Sequence, residues 1–514
     1  MKEIFRLALR NLSEHKSKTI IISLFLVFGM AIVVLGNSFL ESINRGLEKD
    51  FRQNYTGDLV ISIQPEKGTI LDIFGVAATA NIGGEIPQVP AIPDLKSVEE
   101  IVHAQEGIKG TTKQISAQIL IAKGKEMDMS DFIENDDLGF DDLPISMLFG
   151  VEESYWDLFP KVNLVEGRYP QKDTNEVMID TRVKNAFESL YKKPLNVGDD
   201  ILMLGANTNG VIREGKLVGI FDPPNENSAM FQIVYCDPDL ARAFADLTYA
   251  ANFESELPSY VDFSISELSE DDLFGSSDDD LFGELIEESD EILRQDTTDF
   301  SDILGDTTLR DELNKTDEGA WNFILAKVQN PSQTKKVIEE LKTKFADANL
   351  NVQVMDWKAG AYSYSGTVEG IGFIFNLLII ILAVVVFIII MNTMVVSVIE
   401  RTGEIGTMRA IGAEKSFVKK LFFTETLFLT VVSSIIGFII AFIAMAIFNS
   451  LEITITNSIA KMILGGGLLH FSPTVKIIVA TFFVAILGSI LSNLYPISSA
   501  LKITPLKALS KGSD

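Results

Sequence analysis

The sequence predicts an α-helical membrane protein with four transmembrane helices and a large α+β extracytoplasmic domain between helices 1 and 2. Three observations predict it. The chain of 514 residues is 47% hydrophobic yet carries 43 Lys and Arg against 71 Asp and Glu, and these two properties occupy different stretches. Residues 41–369 hold 28 basic and 63 acidic side chains, a net charge of −35, whereas the remainder stands at +7. That remainder contains four runs without a charged residue, each long enough to cross about 30 Å of hydrocarbon, which takes roughly 20 helical residues. The acidic region instead shows short β-branched and aromatic runs separated by Gly, Asn and Pro, the pattern of strands and turns.

The uncharged runs are 19–40, 370–399, 426–451 and 477–501. The first, behind a basic flank and with Gly36 and Ser38 near its end, also has the flanks of a secretory signal peptide, but it exceeds the usual apolar core of about 7 to 15 residues. Lys2, Arg6, Arg10, Lys16 and Lys18 precede it, Arg401, Arg409, Lys415, Lys419 and Lys420 fall in 400–425, and Lys502, Lys507 and Lys511 fall in the 502–514 tail. The 452–476 loop has only Lys461 and Lys476. Cytoplasmic segments carry the excess of Lys and Arg, so both termini and 400–425 are expected inside and 41–369 outside. The spans lack the ionisable groups that ion-coupled carriers and charge-selective pores require. No G-x-x-x-x-G-K-[ST] loop occurs, since Gly412-Ala-Glu-Lys-Ser416 is too short for one. A nucleotide that drives this chain therefore sits on another polypeptide, and no cofactor is expected on this one.

Within the acidic region, strands are predicted at 58–63, 118–122, 176–179, 200–204, 216–220 and 231–235. A strand at 323–328, a helix at 332–348 opened by Pro331 and a strand at 351–355 form one β-α-β unit just before the second span. The insertions 126–142 and 267–318 are too acidic to offset ordering entropy by burial. The second repeats Asp271-Asp-Leu-Phe-Gly275 as Asp279-Asp-Leu-Phe-Gly283, so it is either a solvated insertion or a docking segment that offers Phe274 and Phe282 to an extracytoplasmic partner. Its spacing matches no EF-hand loop, and no metal site is expected. The acidic balance excludes nucleic-acid binding, which needs cations to displace counterions. A single cysteine, Cys236, excludes an internal disulfide framework and any multi-cysteine metal site.

Residues 1–18 place Ile4, Phe5, Ala8, Leu9 and Leu12 on one helical face and Arg6, Arg10, Lys16 and Lys18 mostly elsewhere, as in a helix lying on a lipid bilayer. In 400–425, Glu400, Arg401, Glu404 and Arg409 alternate with apolar Ile405, Met408 and Ile411. A short interfacial helix there would offer both kinds of side chain to a soluble partner.

The run from Asn392 to Ala413, with Glu400-Arg-x-x-Glu-Ile-Gly406 and the later Gly412-Ala413, resembles the signature of the FtsX-like permease family, the membrane parts of MacB-type and LolC/LolE-type ATP-binding-cassette (ABC) systems. Phe422, Glu425 and Gly437, then Tyr495-Pro496, Ala500, Pro505 and Ala508-Leu509, continue the likeness, and Ala8-Leu-Arg-Asn-Leu12 fits its opening. The permease domain so defined covers about 370–510. Gly57 to Ile63 and the stretch from Val165 to Ile220 are similar to a MacB-like extracytoplasmic core, from which the two acidic insertions depart. The resemblance implies a permease of the bacterial inner membrane that works as a dimer with a second copy or a paralogue. It also implies a separate ABC ATPase that binds the ATP and docks on 400–413, with Glu400, Arg401, Glu404, Ile405, Gly406, Met408, Arg409, Gly412 and Ala413 as the coupling residues.

Two functions follow from that resemblance: extraction or export of a lipoprotein, peptide or amphiphile, or regulation of a cell-wall hydrolase without transport. A membrane-anchored enzyme fits least. The three histidines are His15, His103 and His470, and the one in the acidic region, His103, has no nucleophile beside it.

Overall fold

The computed structural model describes residues 2–14, 16–78, 88–122, 145–205, 211–224, 232–248, 315–453 and 470–502. Both expected acidic insertions, with Phe274 and Phe282, lie almost wholly outside the described residues, as does His15. The helices are α1 (Lys2–Glu14), α2 (Lys16–Asn54), α3 (Leu95–His103), α4 (Tyr155–Leu158), α5 (Thr181–Tyr191), α6 (Pro238–Phe244), α7 (Thr334–Asp347), α8 (Trp357–Gly360), α9 (Tyr362–Glu400), α10 (Thr402–Ala410), α11 (Lys415–Ser450) and α12 (Val475–Lys502). The strands are β1 (Leu59–Ile63), β2 (Ile70–Asp72), β3 (Gly75–Ala78), β4 (Ile108–Ala122), β5 (Ile145–Val151), β6 (Asn163–Gly167), β7 (Glu176–Asp180), β8 (Asp200–Gly205), β9 (Ile212–Asp222), β10 (Gln232–Cys236), β11 (Phe323–Val328) and β12 (Val352–Asp356).

Among the described residues four helices, α2, α9, α11 and α12, are long and apolar enough to cross a membrane. They outrun the predicted spans. α2 has 39 residues and reaches 14 past Leu40, and α9, also 39 residues, starts at Tyr362, so each is about 58 Å long at 1.5 Å per residue. Glu41 ends the apolar run but not the helix, because Ile43, Leu47 and Phe51 recur every four residues and enter the core of the sheet domain. Segment 400–425, expected as a loop, is mostly helical: α10, a short turn and the first residues of α11. α11 packs closely on α2 because Gly437 has no side chain; an added Cβ would lie 2.8 Å from both the Met30 Cβ and the Val27 carbonyl oxygen.

Ten strands form one sheet in the order β12-β1-β11-β4-β5-β10-β7-β9-β6, with β8 pairing β4 and β9. Successive residues turn to opposite faces, as the pleat requires. Val60, Phe149, Met178, Tyr235, Phe323 and Leu325 join a core with Leu47, Phe51, Tyr55, Trp357 and Tyr364, which are the tops of α2 and α9 and the residues beside them. The intervening Ile61, Ile324 and Ala326 face α3 and α7, and Leu148, Val177, Ile179 and Val234 face α5 and α6. The predicted β-α-β unit is present as β11-α7-β12, with β1 inserted between its strands and antiparallel to both. That insertion matters mechanically, because α2 runs into β1 and β12 runs through α8 into α9. Five residue pairs, from Leu59–Asp356 to Ile63–Val352, clasp the two membrane helices at their tops.

Candidate functional site

At the end of the helices remote from the sheet, α1, α2, α9, α10, α11 and α12 converge. Ile22, Leu26, Ile390, Met394, Val398, Ile405, Val418, Phe422, Leu429 and Ile497 form a core there, with Leu12 and Met408 packed against it. Inside it lies a charged network. Arg401, between α9 and α10, donates through Nη1 to Glu425 Oε1 at 3.1 Å and Oε2 at 2.9 Å, and through Nε to Glu404 Oε2 at 3.2 Å. Asn11 of α1 donates to Glu425 Oε1 at 2.6 Å. The guanidinium also stacks over the Phe422 ring, 5.0 Å from its centroid, an attractive cation–π geometry.

The Arg401 and Glu425 side chains are only 4% and 7% exposed, whereas Glu404 is 56% exposed. Two charges this deep persist because each is paired and hydrogen-bonded; alone, either would carry a penalty of several kcal/mol, roughly. Burial pulls the Arg401 guanidinium down, but the carboxylates of Glu425 and Glu404 outweigh it and hold the group above its ordinary range. The network thus joins α1, the α9–α10 corner and α11 into one unit.

α10 stops where its sequence dictates. Gly412 has φ +107°, a conformation that L side chains avoid. Its N–H bonds to the Arg409 carbonyl at 3.2 Å and the next N–H, of Ala413, to Met408 at 2.9 Å, which is the Schellman arrangement of a helix end. Ile411, just before it, is 82% exposed.

The expected site residues therefore divide. Glu400, Glu404 and Gly412 are exposed, and Met408, Arg409 and Ala413 are half-buried. Arg401, Ile405 and Gly406 face the interior. The expectation that Ile405 meets a soluble partner is corrected on this point: it is enclosed by the chain's own core, and the exposed large apolar side chain is Ile411, the residue that follows α10. Of the surface-helix residues, Arg6, Arg10 and Lys16 are exposed, with Arg10 paired to Glu14 at 3.0 Å; the Lys18 side chain is outside the described residues. The apolar face of α1 packs on α11, with Ala8 buried and Phe5 edge-on to Phe428 at 5.5 Å. Sequence reasoning missed that Asn11 and Glu425 serve Arg401. The available signal was that both already stood in the family-like pattern.

Residues 376–505 match the FtsX-like permease C-terminal family, and residues 19–271 match the MacB-like periplasmic core domain. The chain belongs to the FtsX-like permeases that carry a MacB-like periplasmic core domain. Relatives include the ABC transporter permease YvrN of Bacillus subtilis, 21% identical over 99% of both chains. An ABC transporter permease of Methanocaldococcus jannaschii is 27% identical over 37% of this chain and 46% of its own. The macrolide export ATP-binding/permease protein MacB of Chlorobium luteolum is 38% identical over 23% of this chain and 16% of its own. The chain thus spans less than half the length of two of these relatives. The extracellular domain of the ABC-type transporter YknZ of Gram-positive bacteria aligns over 58% of this chain and 99% of its own, with 10% identity and a TM-score of 0.27.

Proposed function

We propose that the chain is the membrane subunit of an ABC transporter in the bacterial inner membrane, with both termini and α10 cytoplasmic, the sheet domain outside, and a separate ATPase docked on α10. Closure of that ATPase is transmitted to the sheet domain, which extracts or exports a lipoprotein, peptide or amphiphile. The observation that carries this reading is continuity: α2 and α9 each run as one helix from the core around the Arg401 network to within five residues of the β1–β12 clasp. A displacement applied at α10 reaches the outside domain through two rigid helices, so cargo need not pass between the spans. An apolar cleft of about 330 Å³ between α2, α9 and α12, lined by Met30, Val33, Ile379, Val386 and Val484 among others, fits the acyl part of an amphiphile and favours cargo extraction over hydrolase regulation.

The docking surface comprises the exposed Glu404, Ile411 and Gly412, while Arg401 and Ile405 hold α10 in place from beneath. Ile411→Asp tests it. The chain, purified from its native membrane, should lose at least tenfold of its co-purifying ABC ATPase while its own thermal unfolding stays put, because Ile411 is 82% exposed and belongs to none of the hydrophobic cores among the described residues. An unchanged ATPase yield would overturn the docking assignment.

A further inference from the structure

We propose that the membrane-proximal face of the sheet domain carries an anion site that takes a phosphate group, and that in the membrane this group is the headgroup of an anionic phospholipid. The inference is independent of the ATPase reading. In a region of net charge −35, a cleft of about 520 Å³ between the upper end of α2 and the edge of β11 gathers Arg45, Lys49, Arg52, Lys109 and Lys327 around two carboxylates, Glu48 and Asp58. Both carboxylates are already committed. Arg52 binds Glu48 at 2.7 Å and also Asp58, and Asp58 accepts the Val328 N–H at 2.7 Å as well. Arg45 is paired outside the cleft, with Glu41 at 3.0 Å.

Lys49, Lys109 and Lys327 are left without a carboxylate at ion-pair distance among the described residues. Lys327 is the anchor. Its ammonium donates to the carbonyls of Leu158 at 2.7 Å and Gln53 at 3.2 Å and lies 4.6 Å from the centre of the Phe159 ring. An ammonium has three N–H donors, so one remains for a ligand. Burial lowers the Lys327 ammonium below its ordinary range; Asp58 raises it in part, and the like charge of Lys109 lowers it again. An anion seated between the two lysines relieves that repulsion. Height selects the source. The cleft residues of α2 lie 5 to 13 positions beyond Leu40, about 8–20 Å above the hydrocarbon edge at 1.5 Å per residue, so its lower rim at Arg45 borders the headgroup layer, which is about 5–8 Å deep on each side.

The test uses the full chain in detergent, titrated with phosphatidylglycerol, phosphatidylcholine or inorganic phosphate, with bound lipid counted by native mass spectrometry and phosphate binding read from thermal unfolding. The variant Lys49→Gln/Lys109→Gln removes two exposed charges, and Lys335→Gln/Lys336→Gln on α7 is the control. Phosphatidylglycerol affinity should fall about thirtyfold in the first variant, as expected for two lysine contacts with anionic lipid, and stay unchanged in the control. Phosphatidylcholine should bind equally to all three. If inorganic phosphate stabilises the parent but not the first variant while phosphatidylglycerol binds both alike, the anion site stands and its source is free phosphate. Equal binding of both anions by parent and variant, or an equal loss in the control, would overturn the proposal.

Discussion

Removing Glu425 should destabilise the chain mainly by stranding Arg401. Glu425 accepts two bonds from Arg401 and one from Asn11, and deleting one partner of a buried pair costs about 3–5 kcal/mol. In Glu425→Ala the guanidinium keeps Glu404 at 3.2 Å, a partner more than half exposed, so the low end applies, about 3 kcal/mol. Arg401→Ala strands Glu425 with Asn11 as its partner and also loses the stack on Phe422, which gives about 4 kcal/mol. The double variant buries no unpaired charge and should cost only about 4 kcal/mol, so the pair's coupling energy is about 3 kcal/mol. Equilibrium unfolding by SDS in mixed micelles, followed by circular dichroism on the parent and three variants, measures it. Additive single effects, within about 0.5 kcal/mol, would show that the two side chains do not meet in the folded chain.

Asp72 offers a pH test at the junction between the sheet domain and α9. Burial pushes its carboxyl up to about 6, and the N–H groups of Ser363 at 2.6 Å and Phe74 at 2.9 Å only partly offset that. Because the folded value exceeds the unfolded one, its stabilising contribution is complete below pH 3.8 and disappears as pH rises through about 6. Between pH 4.5 and 7 the parent should lose about 2 kcal/mol relative to Asp72→Asn; thermal unfolding of both at the two pH values checks it, and parallel profiles would refute it. For orientation, cysteines introduced at Ser130 and Asn457 should react with an impermeant maleimide in intact cells and one at Ser416 should not. Cys236 is buried with its thiol pushed up, so it stays silent, and labelling at Ser416 would reverse the topology.

Much of the fold was legible because its signals are local. Uncharged runs mark the membrane helices, and short apolar, β-branched runs such as Leu59–Ile63 and Phe323–Val328 mark strands. β5 escaped because its interior, Ser146 to Gly150, holds no β-branched residue, so its composition gave little sign of a strand. The extensions of α2 and α9 escaped because charge ends a hydrophobic run without ending a helix. At the candidate site, the α10 segment and its Gly412 were legible, but the direction of its side chains was not. A charged residue in a loop reads as exposed, and nothing near Arg401 announces that its buried partner is Glu425, or that Asn11, 414 positions from Glu425, binds the same carboxylate. Ile405 and Ile411 are both apolar and look alike in sequence; packing alone turns one inward and leaves the other bare.

Transmission through continuous helices is tested most directly by breaking one of them. A Ser-Gly-Ser-Gly insertion between Glu41 and Ser42 interrupts α2 above the predicted span and leaves α10 untouched. Hydrogen–deuterium exchange of β1, β12 and α8 is then compared between nucleotide-free and ATP-trapped complexes, for parent and insertion variant. Rigid coupling predicts a nucleotide-dependent change in the parent that vanishes in the variant while ATP turnover persists. The same nucleotide-dependent exchange in both would contradict it.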